Sequence, residues 1–345
     1  MQEDLKIILT NCKLSSKTRS RLLHSIGTNF VLRHVDVIRR SELDRVEIML
    51  IDIVLESDRK WLTVEKTARM PRLKFIQSSR AGVDAIDLEQ LPKSVVICGN
   101  NGAYSDPMAE HTIGMILYLA KDLGNRNSKL KNGVVDSHNS LFLKGKTIGV
   151  IGAGGIGQAI AKVAKSLEMK TLGVNTSGKH AKYFDNIFEI RKLDEVLRVS
   201  DVIVLSLPLT VKSFHIIDAE KFRLMKKNCI FVNVARGYVI DEAALYNHLL
   251  RNPEFKCGLD VWWHYPKDNE KFSQRFPFFK LPNFLGTPHI SGYVPEEREV
   301  ALNFAVDNIL RFVKNRQLRG LVNREDYRGL RELIKEEDKL KRTHL

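Results

Sequence analysis

The chain has 345 residues, of which 43% are hydrophobic and 28% charged, a globular composition with enough apolar material for two domains. No segment approaches the ~20 consecutive apolar residues of a membrane-spanning helix, so we expect no membrane partner. The formal net charge is +14, but the basic residues are spread along the chain and accompany no recognition motif. We therefore expect no nucleic-acid partner, and a solvated basic surface that attracts anionic ligands.

The cysteines and the first residues indicate a cellular compartment. Cys12, Cys98, Cys229 and Cys257 have neither a paired nor a metal-like spacing, which predicts reduced thiols in a cytoplasmic protein and no metal site. The opening stretch MQEDLKIILTNCK has only a short apolar run. It predicts a first strand rather than a secretory signal.

Short β-rich runs alternate with helix-length stretches in the first hundred residues. Strands are predicted at 5–10, 48–55, 73–79 and 94–100, and helices at 17–26 and 64–69. Ser105-Asp106-Pro107 then opens a long apolar helix, because serine caps a helix and proline is tolerated in its first turn. This alternation predicts βαβ units and a largely parallel sheet.

A second series of strands and helices begins at Lys146. Its strands are predicted at 147–153, 170–175, 201–208, 229–235 and 257–263. A long helix follows from about Pro295 to Val313, and the last residues indicate a charged helix or a frayed tail. We predict an α/β protein with a continuous domain at 106–290 and a discontinuous domain formed by 1–105 and 291–345.

A glycine-rich turn connects the first strand of the second series to its helix. Gly152-Ala153-Gly154-Gly155-Ile156-Gly157 matches the pattern GxGxxG. The first glycine permits the tight turn, the second lets the backbone approach a pyrophosphate, and the third brings helix and strand together. The helix N-terminus offers free N–H groups to phosphates. With strand and helix in this order, the pattern predicts that 106–290 binds a dinucleotide.

The following strand ends where the coenzyme's ribose is expected. An acid about twenty residues beyond the glycines normally binds the ribose hydroxyls of NAD, but this chain has Asn175-Thr176-Ser177-Gly178-Lys179-His180. Hydroxyl donors and a lysine suit a 2′-phosphate, which a carboxylate would repel. We therefore predict that NADP is preferred over NAD, the alternative being that Lys179 is only a loop charge.

Several segments resemble the D-2-hydroxyacid dehydrogenase family, in particular its glyoxylate and hydroxypyruvate reductases. They are SRAGVDAID (79–87), AEHTIGMIL (109–117), the glycine-rich segment, SDVIVLSLPLT (200–210), MKKNCIFVNVARGYVIDEAAL (225–245), LDVWW (259–263) and LGTPHISG (285–292). The resemblance implies two Rossmann-like domains, one a doubly wound parallel-sheet cofactor domain and the other a flavodoxin-like substrate domain. It also implies an active site in the cleft between them and, commonly, a homodimer.

The same resemblance assigns roles to individual residues. Arg236 would grip a 2-oxo acid with its planar guanidinium, and His289 would serve as the acid/base because imidazole titrates near neutrality. The amides of Gly82 and Val83 would hold the substrate carboxylate, and Tyr104 would shape specificity. Further cofactor contacts fall on Leu207, Pro208, Val234, Ala235, Asp260 and Gly292.

One position departs from the family. Most relatives have a glutamate that pairs with the histidine, whereas this chain has Tyr265 there. A neutral phenol orients the ring but does not stabilise the imidazolium as a carboxylate does. Three explanations are open: the proton donor works with a lower pKa, Asp268 or Glu270 replaces the glutamate, or the chain keeps cofactor binding without dehydrogenase activity. We favour the first, because Arg236 and His289 are both present.

These features predict an NAD(P)H-dependent reductase of a small 2-oxo acid such as glyoxylate or hydroxypyruvate. Two alternatives are a phosphoglycerate dehydrogenase-like activity and a nucleotide-sensing binding protein on the same scaffold. The two tryptophans next to Asp260-Val261 are expected to pack the wall of the site rather than bind a ligand, because large aromatic side chains mainly contribute buried area.

Overall fold

The structure, a computed structural model, describes residues 5–53, 60–266 and 270–342. The chain divides into two compact units, with Met1–Tyr104 and Val294–Leu345 forming unit 1 and Ser105–Tyr293 forming unit 2. All four cysteines are buried and unpaired. Among the described residues, no helix combines the length and the apolar character needed to cross a bilayer.

Twelve strands and ten helices are found in the described part of the chain. The strands are β1 Lys6–Thr10, β2 Phe30–His34, β3 Val46–Ile51, β4 Phe75–Ser78, β5 Val96–Cys98, β6 Thr147–Ile151, β7 Lys170–Asn175, β8 Asn186–Glu189, β9 Val202–Leu205, β10 Ile230–Asn233, β11 Lys256–Leu259 and β12 Phe284–Gly286. The helices are α1 Ser16–Ile26, α2 Val64–Thr67, α3 Ser105–Lys121, α4 Leu123–Lys131, α5 Gly155–Ser166, α6 Leu193–Val199, α7 Ala219–Leu224, α8 Glu242–Arg251, α9 Pro295–Val313 and α10 Leu330–Arg342.

Unit 1 is built on a five-stranded parallel sheet with the order β2-β1-β3-β4-β5. This is the flavodoxin-like order, in which the strand sequence reverses beside β1. All six residues of β3 are buried, because helices cover both faces of a parallel sheet and its central strands become continuous apolar runs. One apolar cluster joins β1 and β3 to α1 and α9, and a second lies on the opposite face under the 83–91 segment.

Unit 2 is built on a seven-stranded parallel sheet with the order β12-β11-β10-β9-β6-β7-β8. The strand sequence reverses between β6 and β9, which pair directly from Ile148 opposite Val202 to Ile151 opposite Leu205. Ligands of open α/β sheets bind at the carboxyl ends of the strands at such a reversal. Two parallel-sheet α/β units confirm the predicted fold class, and the glycine-rich turn lies at the reversal point of the second sheet.

Candidate active site

The three glycines of the turn differ in what surrounds them. Gly152 has φ +109°, and a Cβ on it would lie 2.6 Å from the carbonyl carbon of Ser206. A Cβ on Gly157 would lie 2.1 Å from the carbonyl oxygen of Gly152. Gly154 has φ −81°, and its Cβ would meet no atom within 4 Å. The protein's own packing therefore requires the first and third glycines, whereas the second borders open space, as a pyrophosphate cradle needs.

The turn is fixed to the neighbouring strands, which places its amides at the sheet edge. The amides of Gly152 and Ala153 donate to the carbonyl of Val174 at 2.9 and 3.0 Å, and the Ser206 hydroxyl donates to the Gly152 carbonyl at 2.9 Å. Helix α5 begins at Gly155, and no side chain caps its first amides. The turn thus combines a rigid backbone with uncapped donors, a geometry that suits phosphate oxygens.

Two predicted cofactor residues follow β9. Leu207 lies beside the turn, because a Cβ on Gly152 would approach its nitrogen to 2.7 Å. Leu207 is half-buried and Pro208 is exposed. The structure therefore brings the predicted residue Leu207 next to the glycine turn.

The loop after β7 is ordered by Asn175. Its Oδ1 accepts hydrogen bonds from the amides of Ser177 at 3.1 Å and Gly178 at 2.6 Å, and its Nδ2 donates to the Lys179 carbonyl at 3.1 Å. The side chains of Thr176, Ser177 and Lys179 are exposed. Asn175 thus shapes the loop, while two hydroxyls and an ammonium group remain at its surface.

Arg236 follows β10 in a turn built by a buried asparagine. The Asn233 side chain is fully buried; its Oδ1 accepts from the Ala235 amide at 2.9 Å, and its Nδ2 donates to the Arg236 carbonyl at 2.8 Å. The guanidinium donates to the Ala235 carbonyl at 2.7 Å and is half-buried. Val234 and Ala235, two predicted cofactor contacts, are buried. Sequence reasoning missed Asn233, although an asparagine ending a buried strand signals such a turn.

His289 has a left-handed backbone, with φ +58°. Only a few per cent of residues other than glycine adopt this region, and such residues cluster at functional sites. The carboxylate of Asp260, which is fully buried, accepts hydrogen bonds from the amides of Ile290 at 2.9 Å and Ser291 at 3.0 Å, and from the Thr287 hydroxyl at 2.7 Å. Asp260 therefore holds the loop on both sides of His289.

Asp260 was predicted as a cofactor contact, and the structure gives its carboxylate other partners. Both oxygens are used on the 287–291 loop. His111 of α3 reaches the same group, with its Nε2 3.2 Å from the Thr287 hydroxyl and 3.7 Å from Asp260 Oδ1. Contact between Asp260 and a cofactor remains a prediction. The nearby predicted contact Gly292 is half-buried.

Tyr265 lies next to the imidazole of His289. Its hydroxyl is 2.9 Å from His289 Nδ1, and its oxygen accepts the backbone N–H of Trp262 at 3.1 Å. A phenol oxygen has two lone pairs, so it can accept from this amide and from Nδ1–H of an imidazolium together. Nε2 is then the ring nitrogen that exchanges the proton. Of the two alternative acids, Glu270 is exposed and Asp268 lies outside the described residues.

The two tryptophans pack inside unit 2, and Trp262 supports this pair. Trp262 and Trp263 are 3% and 4% exposed, so they pack as expected from the sequence. The indole N–H of Trp262 donates to the Thr287 carbonyl at 2.9 Å, and that of Trp263 donates to the Ile240 carbonyl at 2.9 Å. Trp262 therefore contacts the Tyr265 hydroxyl through its backbone and the loop of His289 through its side chain.

The predicted substrate residues of unit 1 lie at the carboxyl end of its sheet. Val83 is buried, Gly82 is half-buried, and the Val83 carbonyl closes a turn with the Ile86 amide at 2.9 Å. The Tyr104 hydroxyl donates to the Ser79 carbonyl at 3.1 Å. Burial raises the pKa of Tyr104 to about 12, so it stays a neutral hydrogen-bond donor. In the part of the chain that the structure describes, no group of three His, Cys, Asp or Glu residues is placed to hold a metal ion.

Comparisons with known proteins identify the family of the chain. Residues 113–291 match the family model described as the NAD binding domain of D-isomer specific 2-hydroxyacid dehydrogenase. A glyoxylate reductase of Pyrococcus horikoshii is 34% identical over 265 residues, which are 74% of this chain and 78% of that protein.

Solved structures match over most of the chain. A D-lactate dehydrogenase of Aquifex aeolicus in complex with NAD and lactic acid is 28% identical, with a TM-score of 0.68 over 90% of this chain and 96% of that one. An acyclic imino acid reductase in complex with NADPH and D-Arg is 25% identical, with a TM-score of 0.72 over 92% of this chain and all of that one. The chain belongs to the D-isomer specific 2-hydroxyacid dehydrogenase family, a family of NAD(P)-dependent oxidoreductases that act on CH–OH groups.

Proposed function

We propose that the chain reduces a small 2-oxo acid, such as glyoxylate or hydroxypyruvate, to the 2-hydroxy acid, of D configuration where the product is chiral, with NADPH preferred over NADH. The observation that carries this proposal is the setting of His289. Its backbone is held in the left-handed region by the buried Asp260, and its Nδ1 is bonded to the Tyr265 hydroxyl. This arrangement directs Nε2 to proton transfer, the role that a family member requires of its histidine.

The chain's own residues divide the chemistry. A bound nicotinamide supplies the hydride. Arg236 binds the substrate carboxylate and polarises the keto oxygen, since a guanidinium grips a carboxylate through two parallel hydrogen bonds. His289 donates the Nε2 proton to the forming alkoxide, while its Nδ1–H stays on the phenol oxygen of Tyr265. In unit 1, the amides of Gly82 and Val83 are proposed ligands of the substrate carboxylate.

The coenzyme preference rests on the loop after β7. Structural neighbours have been solved with NADPH and with NAD, so family membership alone leaves the choice open. The exposed Ser177 and Lys179 favour a 2′-phosphate, and Asn175 occupies the position of the usual acid. Lys179→Ala is expected to raise the KM for NADPH about tenfold, because one charge-assisted hydrogen bond to the 2′-phosphate would be lost. The KM for NADH is expected to stay unchanged. Equal effects on both coenzymes would contradict the NADP preference.

Two further proposals concern the setting of the enzyme. The buried, unpaired cysteines support a cytoplasmic location.

Exposed apolar side chains on α4 and the segment after it, namely Leu130, Val134, Val135 and Phe142, support a homodimer formed by unit 2. Light scattering coupled to size exclusion is expected to give twice the 39.4 kDa chain mass; a mass of one chain would contradict the dimer.

A panel of 2-oxo acids assayed with NADPH and with NADH tests the proposed activity. We expect oxidation of the reduced coenzyme to follow glyoxylate or hydroxypyruvate and to be faster with NADPH at limiting concentrations. His289→Gln, which keeps a neutral polar side chain, is expected to lose at least a hundredfold in kcat while still binding NADPH. Absence of turnover with every 2-oxo acid, combined with normal NADPH binding, would instead support a nucleotide-sensing protein.

A further inference from the structure

The C-terminal segment of unit 1 lies against the loop that follows the predicted carboxylate-binding amides. We call residues 323–339 the C-terminal strap and residues 82–91 the substrate loop. Ahead of the strap, the chain pairs with β5, because the Val322 amide donates to the Ile97 carbonyl at 3.0 Å and the Gly99 amide donates to the Gly320 carbonyl at 2.8 Å. The start of the strap is therefore fixed to the sheet.

Arg324 fastens the strap to the end of the substrate loop and the residues after it. Its guanidinium donates to four backbone carbonyls, those of Leu88 at 3.3 Å, Leu91 at 2.9 Å, Pro92 at 2.8 Å and Val95 at 2.7 Å. A charged donor strengthens each of these bonds relative to a neutral pair. One side chain thus ties the segment from 88 to 95 to the C-terminus.

Arg331 reaches further back along the substrate loop. It lies in the first turn of α10 and donates to the Ala85 carbonyl at 3.0 Å, and its other terminal nitrogen is 3.2 Å from Asp87 Oδ2. The amide of Gly329 donates to Glu89 Oε1 at 2.8 Å, and Leu330 is 3% exposed. The strap therefore contacts the loop two residues after Val83.

Within the loop itself, little regular structure holds the two amides in place. The turn from the Val83 carbonyl to the Ile86 amide is followed by a short 3₁₀ turn at Leu88–Gln90. Amides that bind a carboxylate act through their position, and a displacement of about 1 Å costs much of their effect. The buried Val83 side chain packs in the apolar cluster on this face of the sheet, and the side-chain hydrogen bond from Arg331 to the Ala85 carbonyl joins the strap to the loop two residues after Val83 in sequence.

We propose that the C-terminal strap positions the substrate loop through Arg331, so that the amides of Gly82 and Val83 are ready to bind the carboxylate of a 2-oxo acid. This inference rests on the proposed function. Arg331 is a positioning residue that acts on substrate affinity through the loop. We expect it to affect neither cofactor binding nor the proton transfer in unit 2.

Steady-state kinetics of three variants of the full chain test the proposal. Arg331→Ala is expected to raise the KM for glyoxylate at least fivefold and to change kcat and the KM for NADPH less than twofold. Arg331→Lys is expected to raise the KM for glyoxylate less than Arg331→Ala does, because an ammonium group can pair with Asp87 or reach the Ala85 carbonyl but cannot bind both. Arg328→Ala is the matched control: Arg328 lies in the same strap and pairs with Glu325 at 2.9 Å, and we expect it to leave all three constants unchanged.

Hydrogen–deuterium exchange supplies a readout that does not require turnover. Peptides covering 82–91 are expected to exchange faster in Arg331→Ala than in the native chain or in Arg328→Ala, with peptides of unit 2 unchanged. Unchanged exchange in 82–91, an unchanged KM for glyoxylate in Arg331→Ala, or an equal rise of this KM in Arg331→Ala and Arg328→Ala would overturn the proposal. If the native chain reduces no 2-oxo acid, the proposed function fails. Exchange in 82–91 then still decides whether the strap holds the loop.

Discussion

Replacement of Gly154 by alanine is expected to weaken dinucleotide binding while leaving the stability of the fold nearly unchanged. The backbone of Gly154 has φ −81°, which any residue adopts, and the added Cβ meets no atom within 4 Å. Alanine is a poorer helix cap than glycine, which destabilises the fold by about 0.5–1 kcal/mol. Alanine also lowers the conformational entropy of the unfolded chain, which stabilises the fold by about 0.4–1 kcal/mol. The free energy of unfolding is therefore expected to change by less than about 0.5 kcal/mol, or roughly 2 °C in Tm.

Binding of the coenzyme is expected to respond very differently. The methyl group would occupy the space through which the backbone approaches the pyrophosphate. We expect the Kd for NADPH, measured by its fluorescence on titration, to rise at least tenfold, equivalent to about 1.4 kcal/mol. Gly114→Ala is the matched control, because that glycine of α3 also borders open space and lies away from the turn in sequence; its NADPH affinity is expected to stay native. Native affinity in Gly154→Ala would refute the placement of the pyrophosphate.

Three other variants test the site and the stability of unit 2. Tyr265→Glu places a carboxylate beside the Nδ1 of His289 and stabilises the imidazolium, so the alkaline limb of the kcat/KM profile for reduction is expected to move to higher pH by roughly one unit; an unmoved limb would show that Tyr265 is not the partner of His289. Arg236→Lys keeps the charge but loses the planar fork, so kcat/KM is expected to fall at least a hundredfold at unchanged NADPH affinity, and a loss below fivefold would remove Arg236 from substrate binding. Burial lowers the pKa of His248, whose ring stacks on Phe222. Burial of the neutral ring therefore contributes its full stability above the pKa of the unfolded chain, about 6.5, and this contribution is lost as the pH falls through the lower pKa of the folded chain. His248→Leu is therefore expected to lose less Tm than the native chain between pH 7.5 and pH 5, and an equal loss would contradict this.

The sequence predicted the fold class because the central strands carry a strong signal. The segment 48–51 of β3 and the segment 148–151 of β6 are apolar runs buried in parallel sheets, and the glycine pattern marks the strand–helix junction at 152–157. Three edge strands went unpredicted: β2, β8 and β12. In β2 only Leu32 is buried, because an edge strand of a sheet packs on fewer neighbours and therefore lacks a continuous apolar run.

The sequence named the candidate residues of the site, whereas most of their hydrogen bonds could not be predicted from it. The TPHIS and NVARG segments identified His289 and Arg236 as candidates. The partners of Asp260, however, are 27 to 31 residues further along the chain, and a motif carries no information on such distances. The turn built by Asn233 and the contact of the Trp262 amide with Tyr265 are local, each joining residues three apart in the chain, and they were missed because several short-range hydrogen-bond patterns suit the same residue types.

The strap shows a related limit. The charged C-terminal stretch was predicted as a helix or a frayed tail, and its helical part is α10. Arg324 and Arg331 bond to carbonyls that are 229 to 246 residues earlier in the chain. A local charge pattern cannot distinguish such anchored arginines from solvated ones, because both occur on a polar helix face.

Transfer of deuterium from labelled coenzyme tests most directly whether this chain performs hydride transfer to a 2-oxo acid. NADPH deuterated at the transferable position of its nicotinamide is incubated with the protein and hydroxypyruvate, a prochiral 2-oxo acid, and the product is analysed by mass spectrometry and chiral chromatography. Glycerate of the D configuration with one deuterium at C2 is the expected result. Unlabelled glycerate, the L isomer, or oxidation of coenzyme without formation of a hydroxy acid would contradict the proposed reaction.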